Sequence, residues 1–253
     1  MVEELSYQSL AILAAAGVLA TVVNVMAGGG GMIVLPALMA LGLPADVANG
    51  TYRLAVVTQS IAGTAAMHRV GKLETKSIVP ILIPTILGAS LGALLAVWVP
   101  REILKPIMLA TMIAMAALIA FRKQTLIPEA GPTLNPKDAP KAYVGLFLAG
   151  LYGGFIQAGV GFLLLGVLVG TLRHSLITGN ALKLVVTLAF GTVSLGVFAW
   201  AGLVSWMPAI VLATASIVGA RIGVRLMLKV PIAGLRWIVF LSVVATCIKA
   251  WLR

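Results

Sequence analysis

Residues 27–36 read Ala27-Gly28-Gly29-Gly30-Gly31-Met32-Ile33-Val34-Leu35-Pro36, and these ten positions decide how the chain around them folds. Four adjacent glycines hold a helix poorly, at roughly 1 kcal/mol each relative to alanine. The apolar run before them, 7–27, is long enough to cross a bilayer. The run after them, Met32–Gly42, is not, at about 1.5 Å per residue against a hydrocarbon core of about 30 Å. A long helix therefore breaks at the glycines and a half-helix follows. Such a break frees backbone N–H groups and presents a helix N-terminus, the usual backbone means of holding an anion inside a bundle. Close packing of the small-xxx-small kind is the plainer explanation, but four consecutive glycines exceed what packing needs. The run is a very weak nucleotide signature, because no strand precedes it and no Lys-Ser/Thr follows.

Outward from this break the chain is apolar throughout. Hydrophobic residues make up 61% of the 253 positions and charged ones only 10%, with a mean hydropathy of +1.11. That balance excludes a soluble domain with a charged surface. Apolar periodicity predicts long helices near 7–27, 49–68, 77–98 and 103–121, then near 141–157, 179–201, 205–229 and 232–252. Short half-helices are predicted at Met32–Gly42 and Phe162–Leu172. The expected class is therefore all-α, a polytopic membrane helix bundle. The formal charge of +11 would suggest nucleic acid in a soluble protein, but these cations sit at helix ends and in connections, where they orient the chain in the bilayer. One cysteine, Cys247, excludes an intramolecular disulfide and a cysteine-based metal cluster. The start, Met1-Val2-Glu3-Glu4, lacks the pattern of a cleaved secretory signal, so the first helix is expected to stay.

Shifted by about 130 residues, the chain falls into register with itself. Ala27–Gly31 meets Gln157-Ala158-Gly159-Val160-Gly161, and Asn49–Leu54 meets Gly179–Leu184. With one extra residue Gly88–Gly92 meets Gly219–Gly223, and Val99-Pro100 meets Val230-Pro231. Two repeated halves are expected, 1–121 and 141–253, joined by a proline-bearing cytoplasmic linker, 122–140. Equivalent loops differ in charge. His68, Arg69, Lys72 and Lys76 make one connection basic, whereas its counterpart, 198–206, carries no charge. This contrast favours halves inverted in the membrane. Inversion needs an odd number of passes per half, so each short segment would complete a crossing. The alternative is parallel halves with re-entrant short segments.

The helix after each half-helix carries a polar stripe. Asn49, Arg53, Ser60, Thr64 and His68 fall within about a 100° sector at helical spacing, as do Asn180, Lys183, Thr187, Gly191 and Ser194. Arg53 and Lys183 occupy equivalent places. A cation in hydrocarbon costs at least about 2.5–3.5 kcal/mol, so each should face protein, water or a ligand; reaching the interface by snorkelling is the competing explanation. Few acidic groups lie in the apolar runs, which leaves a diffusible anion as the natural partner. Gln59 and Gln157 could orient an oxyanion, although interhelical bonding is the commoner use of such amides. Arg221 and Arg225 are expected to anchor at the interface, with Arg221 the deeper and a candidate gate. His68 and His174 are expected in solvated loops, with proton relay as the sharper alternative. Trp98, Trp200, Trp206, Trp237 and Trp251 mark segment ends. No GxSxG, HExxH, paired carboxylate or P-loop is present, so an enzyme is not expected.

The string Ala27–Pro36, followed by Leu41-Gly42-Leu43-Pro44 and Val47-Ala48-Asn49-Gly50-Thr51, resembles the opening signature of the TauE/SafE sulfite exporter family. Gly71-Lys72-Leu73, the Gly88–Gly92 patch and Val99-Pro100 are similar to it as well. The second half is more divergent, with no proline at Gly166. The resemblance implies a secondary carrier, in the export direction, of sulfur-containing anions such as sulfite or organosulfonates, in the cell (inner) membrane. It places the pocket at the two breaks and the helix starts that follow them. With the glutamines added, the candidate substrate-binding residues are Gly28, Gly29, Gly30, Gly31, Asn49, Arg53, Gln59, Gln157, Gly159, Gly161, Asn180 and Lys183. A carrier of another small anion such as a carboxylate, or an anion channel, is the alternative. The expected partners are a small anionic substrate, protons as the driving ion and the lipid bilayer, with a homodimer allowed. No nucleic acid, cofactor or metal is expected.

Overall fold

The computed structural model describes residues 7–74, 78–121, 132–229 and 247. Nine α-helices and no strand occur among them: α1 Tyr7–Ala27, α2 Gly31–Ala40, α3 Ala45–Arg69, α4 Ile78–Trp98, α5 Arg101–Phe121, α6 Pro140–Phe155, α7 Val160–Leu165, α8 Leu176–Trp200 and α9 Trp206–Met227. α1, α4, α5, α8 and α9 are long and apolar enough to span a membrane. α3 has the length, at 25 residues, but carries the polar stripe, and most of its residues are buried. The predicted helix at 232–252, the Val230-Pro231 step, Lys76, Trp237 and Trp251 lie outside the described residues. So does most of the linker, whose end holds a single 3₁₀ turn, Pro136–Asp138, capped by the Asn135 side chain.

The second short segment differs from the first. α2 is α-helical across Pro36, whereas α7 widens into a π turn over Gly166–Thr171. Gly166 stands 130 positions after Pro36. Trp98, Trp200 and Trp206 are exposed at helix ends, as the sequence suggests. His174 is a correction: it is buried rather than solvated, facing Glu74 at 3.4 Å. Burial pulls its pKa down, and the nearby carboxylate offsets that in part. Arg221 is likewise exposed rather than deep.

Interhelical contacts set the directions. Thr21 Oγ1 donates to Ser216 Oγ at 3.0 Å, Gly17 faces Leu212 and Gly223 faces Val25, so α1 and α9 run parallel. Ser205 N donates to Thr51 Oγ1 and Thr58 Oγ1 to the Ala213 carbonyl, which makes α3 parallel to α9. Gly63 meets Leu184 while Gly191 meets Val57, so α8 opposes α3. Gly150 packs on Thr85 and Gly154 on Ala89, so α6 follows α4. Ile81 and Ala89 cluster with Val186 and Phe190, and Ala93 and Ala96 with Phe198, so α4 follows α8. One set, α1, α3 and α9, thus opposes the other, α4, α6 and α8.

Helices matched at the 130-residue offset, α1 with α6 and α3 with α8, point opposite ways. Yet α1 and α3 are parallel, so α2 must bring the chain back between them. Gly30 lies directly against the Ala20 carbonyl, which shows the fold-back. α2 thus runs back toward the side from which α1 starts. The physical reason is that left-handed glycine permits a reversal within three residues, which extended chain would not.

The packing is interlocked. α1 pairs with α9 and α6 with α4, each across the linker. A Cβ on Gly88, Gly92, Gly150 or Gly154 would stand 2.0–2.2 Å from a carbonyl oxygen of the facing helix. Here small residues do serve close backbone approach, as in membrane helix pairs that gain dispersion by proximity.

Candidate functional site

The two glycine tracts both break, and the breaks touch. Gly28 has φ +82° and Gly159 φ +79°, the left-handed region that side chains with a Cβ avoid. Gln157 also sits there, at φ +66°. A Cβ on Gly28 would lie 2.4 Å from the Gly161 carbonyl carbon, and one on Gly161 would lie 2.5 Å from Gly28 Cα. Gly31 approaches Ala158 in the matching way, with 3.1 Å from its notional Cβ to the Ala158 Cα. Gly29 is buried between them, its carbonyl accepting from Met32 N. Gly30 N donates to the Asn24 side chain at 3.3 Å.

Around this contact stand the two cations, and neither snorkels: Arg53 is 0% and Lys183 3% exposed. Arg53 reaches across to the end of α6. Its Nη1 donates to the Gly153 carbonyl at 3.3 Å and to Gln157 Oε1 at 3.4 Å. Its Nη2 donates to the Gly154 carbonyl and, at 3.4 Å, to Asn49 Oδ1. The guanidinium carbon lies 4.2 Å from the centre of the Phe198 ring, a cation–π distance. Asn49 Nδ2 takes the next carbonyl, Phe155, at 2.7 Å. The last carbonyls of α6, which have no partner within the helix, are thus capped from α3.

Lys183 does the reciprocal work on α1. Its Nζ donates to the Asn24 and Val25 carbonyls, each at 3.0 Å, and to Asn180 Oδ1 at 2.7 Å. A residue before the linker therefore caps a helix after it, and a residue after the linker caps a helix before it. Of protein, water or a ligand, both cations face protein. Their partners are backbone carbonyls, which any sequence supplies. Among the described residues no carboxylate pairs with either cation; Asp46 is held by Arg101 at 2.6 Å and Glu74 faces His174.

Of the candidate residues, Gly28, Gly31 and Gly161 form the contact between breaks, Gly29, Gln157 and Gly159 lie within the breaks, and Gly30 packs behind on α1. Asn49 and Arg53 form one cap, Asn180 and Lys183 the other. Gln59 lies two turns beyond Tyr52 on α3, with a buried Oε1 that lacks a hydrogen-bond partner, and joins neither cap. Asn24, Tyr52, Tyr152 and Phe198 were missed. Tyr52 packs on Gly31, and the Tyr152 hydroxyl donates to the Ala158 carbonyl at 2.6 Å, bracing the second break. Asn24 had a signal, since it precedes Gly28 by one helical turn; Phe198 had none.

The arrangement of breaks and caps can be set beside known proteins. A family model described as sulfite exporter TauE/SafE matches residues 13–250. The chain belongs to the TauE/SafE family. It is similar to "Probable membrane transporter protein ORF9" of a Sinorhizobium species, 29% identical over 88% of this chain and 85% of that protein. A "Probable membrane transporter protein" of Haemophilus influenzae is 28% identical over 87% of this chain and 85% of its own length. YfcA of Escherichia coli K12, also named a probable membrane transporter protein, is 28% identical over 87% and 81%. This TauE/SafE chain is a multi-pass transmembrane transporter.

Proposed function

We propose that this TauE/SafE protein carries a small sulfur-containing oxyanion, such as sulfite or an organosulfonate, outward across the inner membrane, bound where the two glycine breaks meet between inverted repeats. The observation that supports this reading is the excess positive charge at a buried junction. Two cations cap the helix ends that break there, while the C-terminus each one caps carries only about half an opposite charge. The α2 N-terminus adds positive potential at the same place. Positive charge that exceeds its protein partners is costly inside a bilayer and is relieved when a diffusible anion enters. Transport would follow from one helix set rocking against the other, since α1 of one set and α6 of the other end at the junction. A proton moving with the anion would supply the drive.

The test is a thermal-shift series on purified protein with sulfite, thiosulfate, sulfoacetate, taurine, sulfate and small carboxylates, paired with counterflow of labelled anion in proteoliposomes. A ligand bound only by the folded state raises its apparent stability. Sulfite or a sulfonate should give the largest shift and support counterflow. A largest shift with a carboxylate would move the assignment to that class, and conduction without counterflow would indicate a channel.

A further inference from the structure

A second positively charged place lies away from the junction. The C-terminal ends of α3 and α9 enclose a groove of about 480 Å³, lined by Arg69, Arg221 and Arg225 over an apolar floor that includes Ala66, Val224 and Leu228. Arg69 follows Ala65 and Ile61 at four-residue steps, and Arg225 follows Arg221 and Ile217 in the same way. On each helix one surface row thus leads from an isoleucine to arginine. Ile61 is 53% and Ile217 36% exposed. Because α3 and α9 are parallel, the two rows rise side by side.

Cations that only orient a chain need not converge. These three share one cavity, and among the described residues no acidic side chain lines it or pairs with them. Arg69 and Arg225 stand in the last turns of their helices, where the dipole favours a cation. Arg221 lies one turn earlier along α9, beyond that benefit. Three guanidinium groups around one groove repel one another unless an anion sits among them, and the guanidinium fork matches the oxygens of a phosphate. The exposed isoleucine rows below the arginines place hydrocarbon beneath the anion.

We propose that this groove binds the phosphodiester headgroup of an anionic phospholipid, with the arginines on the phosphate and an acyl chain lying along the rows that carry Ile61 and Ile217. Basic grooves between spanning helices bind headgroups by this combination of charge and apolar depth.

The experiment adds phosphatidylglycerol, phosphatidylcholine or inorganic phosphate to the detergent-purified full chain and follows apparent melting temperature and bound lipid by native mass spectrometry. Phosphatidylglycerol should bind and stabilise the wild type, and phosphatidylcholine should do so less. In the triple variant R69Q/R221Q/R225Q the preference should vanish, while Lys72→Gln, in the neighbouring loop, should keep it. Arg221→Gln alone, on the exposed side of α9, guards against misfolding of the triple variant. It should need roughly five-fold more phosphatidylglycerol for half saturation. Unchanged phosphatidylglycerol binding in Arg221→Gln and in the triple variant would overturn the proposal. So would inorganic phosphate that displaces the lipid and reproduces its stabilisation, since the occupant would then be a soluble anion.

Discussion

The two capped helix ends differ in what holds them. Arg53 spreads its fork over the Gly153 and Gly154 carbonyls, Gln157 and Asn49, with Phe198 against its face. Lys183 gathers three partners tightly, at 2.7–3.0 Å. The distances recorded for Arg53 to Gly153, Gln157 and Asn49, 3.3–3.4 Å, lie beyond the usual optimum, so the arginine site gains by number and the lysine site by geometry. The same task, neutralising a buried helix C-terminus, has two side-chain solutions. A planar fork covers a wide end where Asn49 and Gln157 also converge. A compact ammonium suits a narrow one, where Gly161 leaves little room: a Cβ there would lie 3.3 Å from Lys183 Cδ. Arginine and lysine are therefore not interchangeable at these equivalent positions.

The largest effect is expected where both ends meet. Gly161→Leu should prevent correct folding, because its first side-chain carbon would overlap Gly28; monodisperse recovery after purification measures this, and wild-type yield would show that the contact can open. Next, Arg53→Met should lower apparent melting temperature more than Lys183→Met, since it strips more buried acceptors of their donor. Each lost bond to a charged donor is worth about 1.5–3 kcal/mol. The reverse order would break the comparison in favour of geometry over number. The swaps sharpen it: Arg53→Lys and Lys183→Arg should each destabilise, the first by lost reach and the second by crowding against Gly161. Equal stability of either swap with wild type would show that charge alone matters.

Smaller effects separate the two asparagines. Asn180→Ala should cost about 1–3 kcal/mol by removing the short 2.7 Å acceptor from Lys183. Asn49→Ala should cost less through Arg53 and more through the freed Phe155 carbonyl, so adding Lys183→Met should be less than additive with Asn180→Ala and additive with Asn49→Ala. The smallest effect concerns His174. Its folded pKa lies below the ordinary 6.5 because burial disfavours the imidazolium. The unfolded chain therefore binds more protons as pH falls below about 6.5, and stability should decline there and be level above it. His174→Gln should flatten that acid-side slope in melting temperature against pH, and an unchanged slope would assign it to other groups.

Much of the fold was legible. Residues 7–27 and Ile78–Trp98 follow from apolar length, and the break at Gly28 from four glycines in a row, because both are local properties of the backbone. The burial of Arg53 and Lys183 was legible only as a choice between snorkelling and facing protein, water or a ligand. That each would face protein was among the options, but which groups would take it up was not legible, because the carbonyls belong to helices 100 or more residues away and carry no side-chain signature. The same reason hid Phe198 and misplaced His174, whose burial depends on the packing of loops distant in sequence.

What the amino-acid order determined by itself is the material: which stretches prefer lipid, where the helix must stop, and which two positions put a full charge in oil. Only tertiary structure decided that α2 turns back, that the breaks touch at Gly28 and Gly161, and that each cation serves the opposite half. Helix propensity and hydrophobicity act over a few neighbouring residues, whereas an unpaired carbonyl at a helix end is satisfied by whichever donor the packing brings within reach.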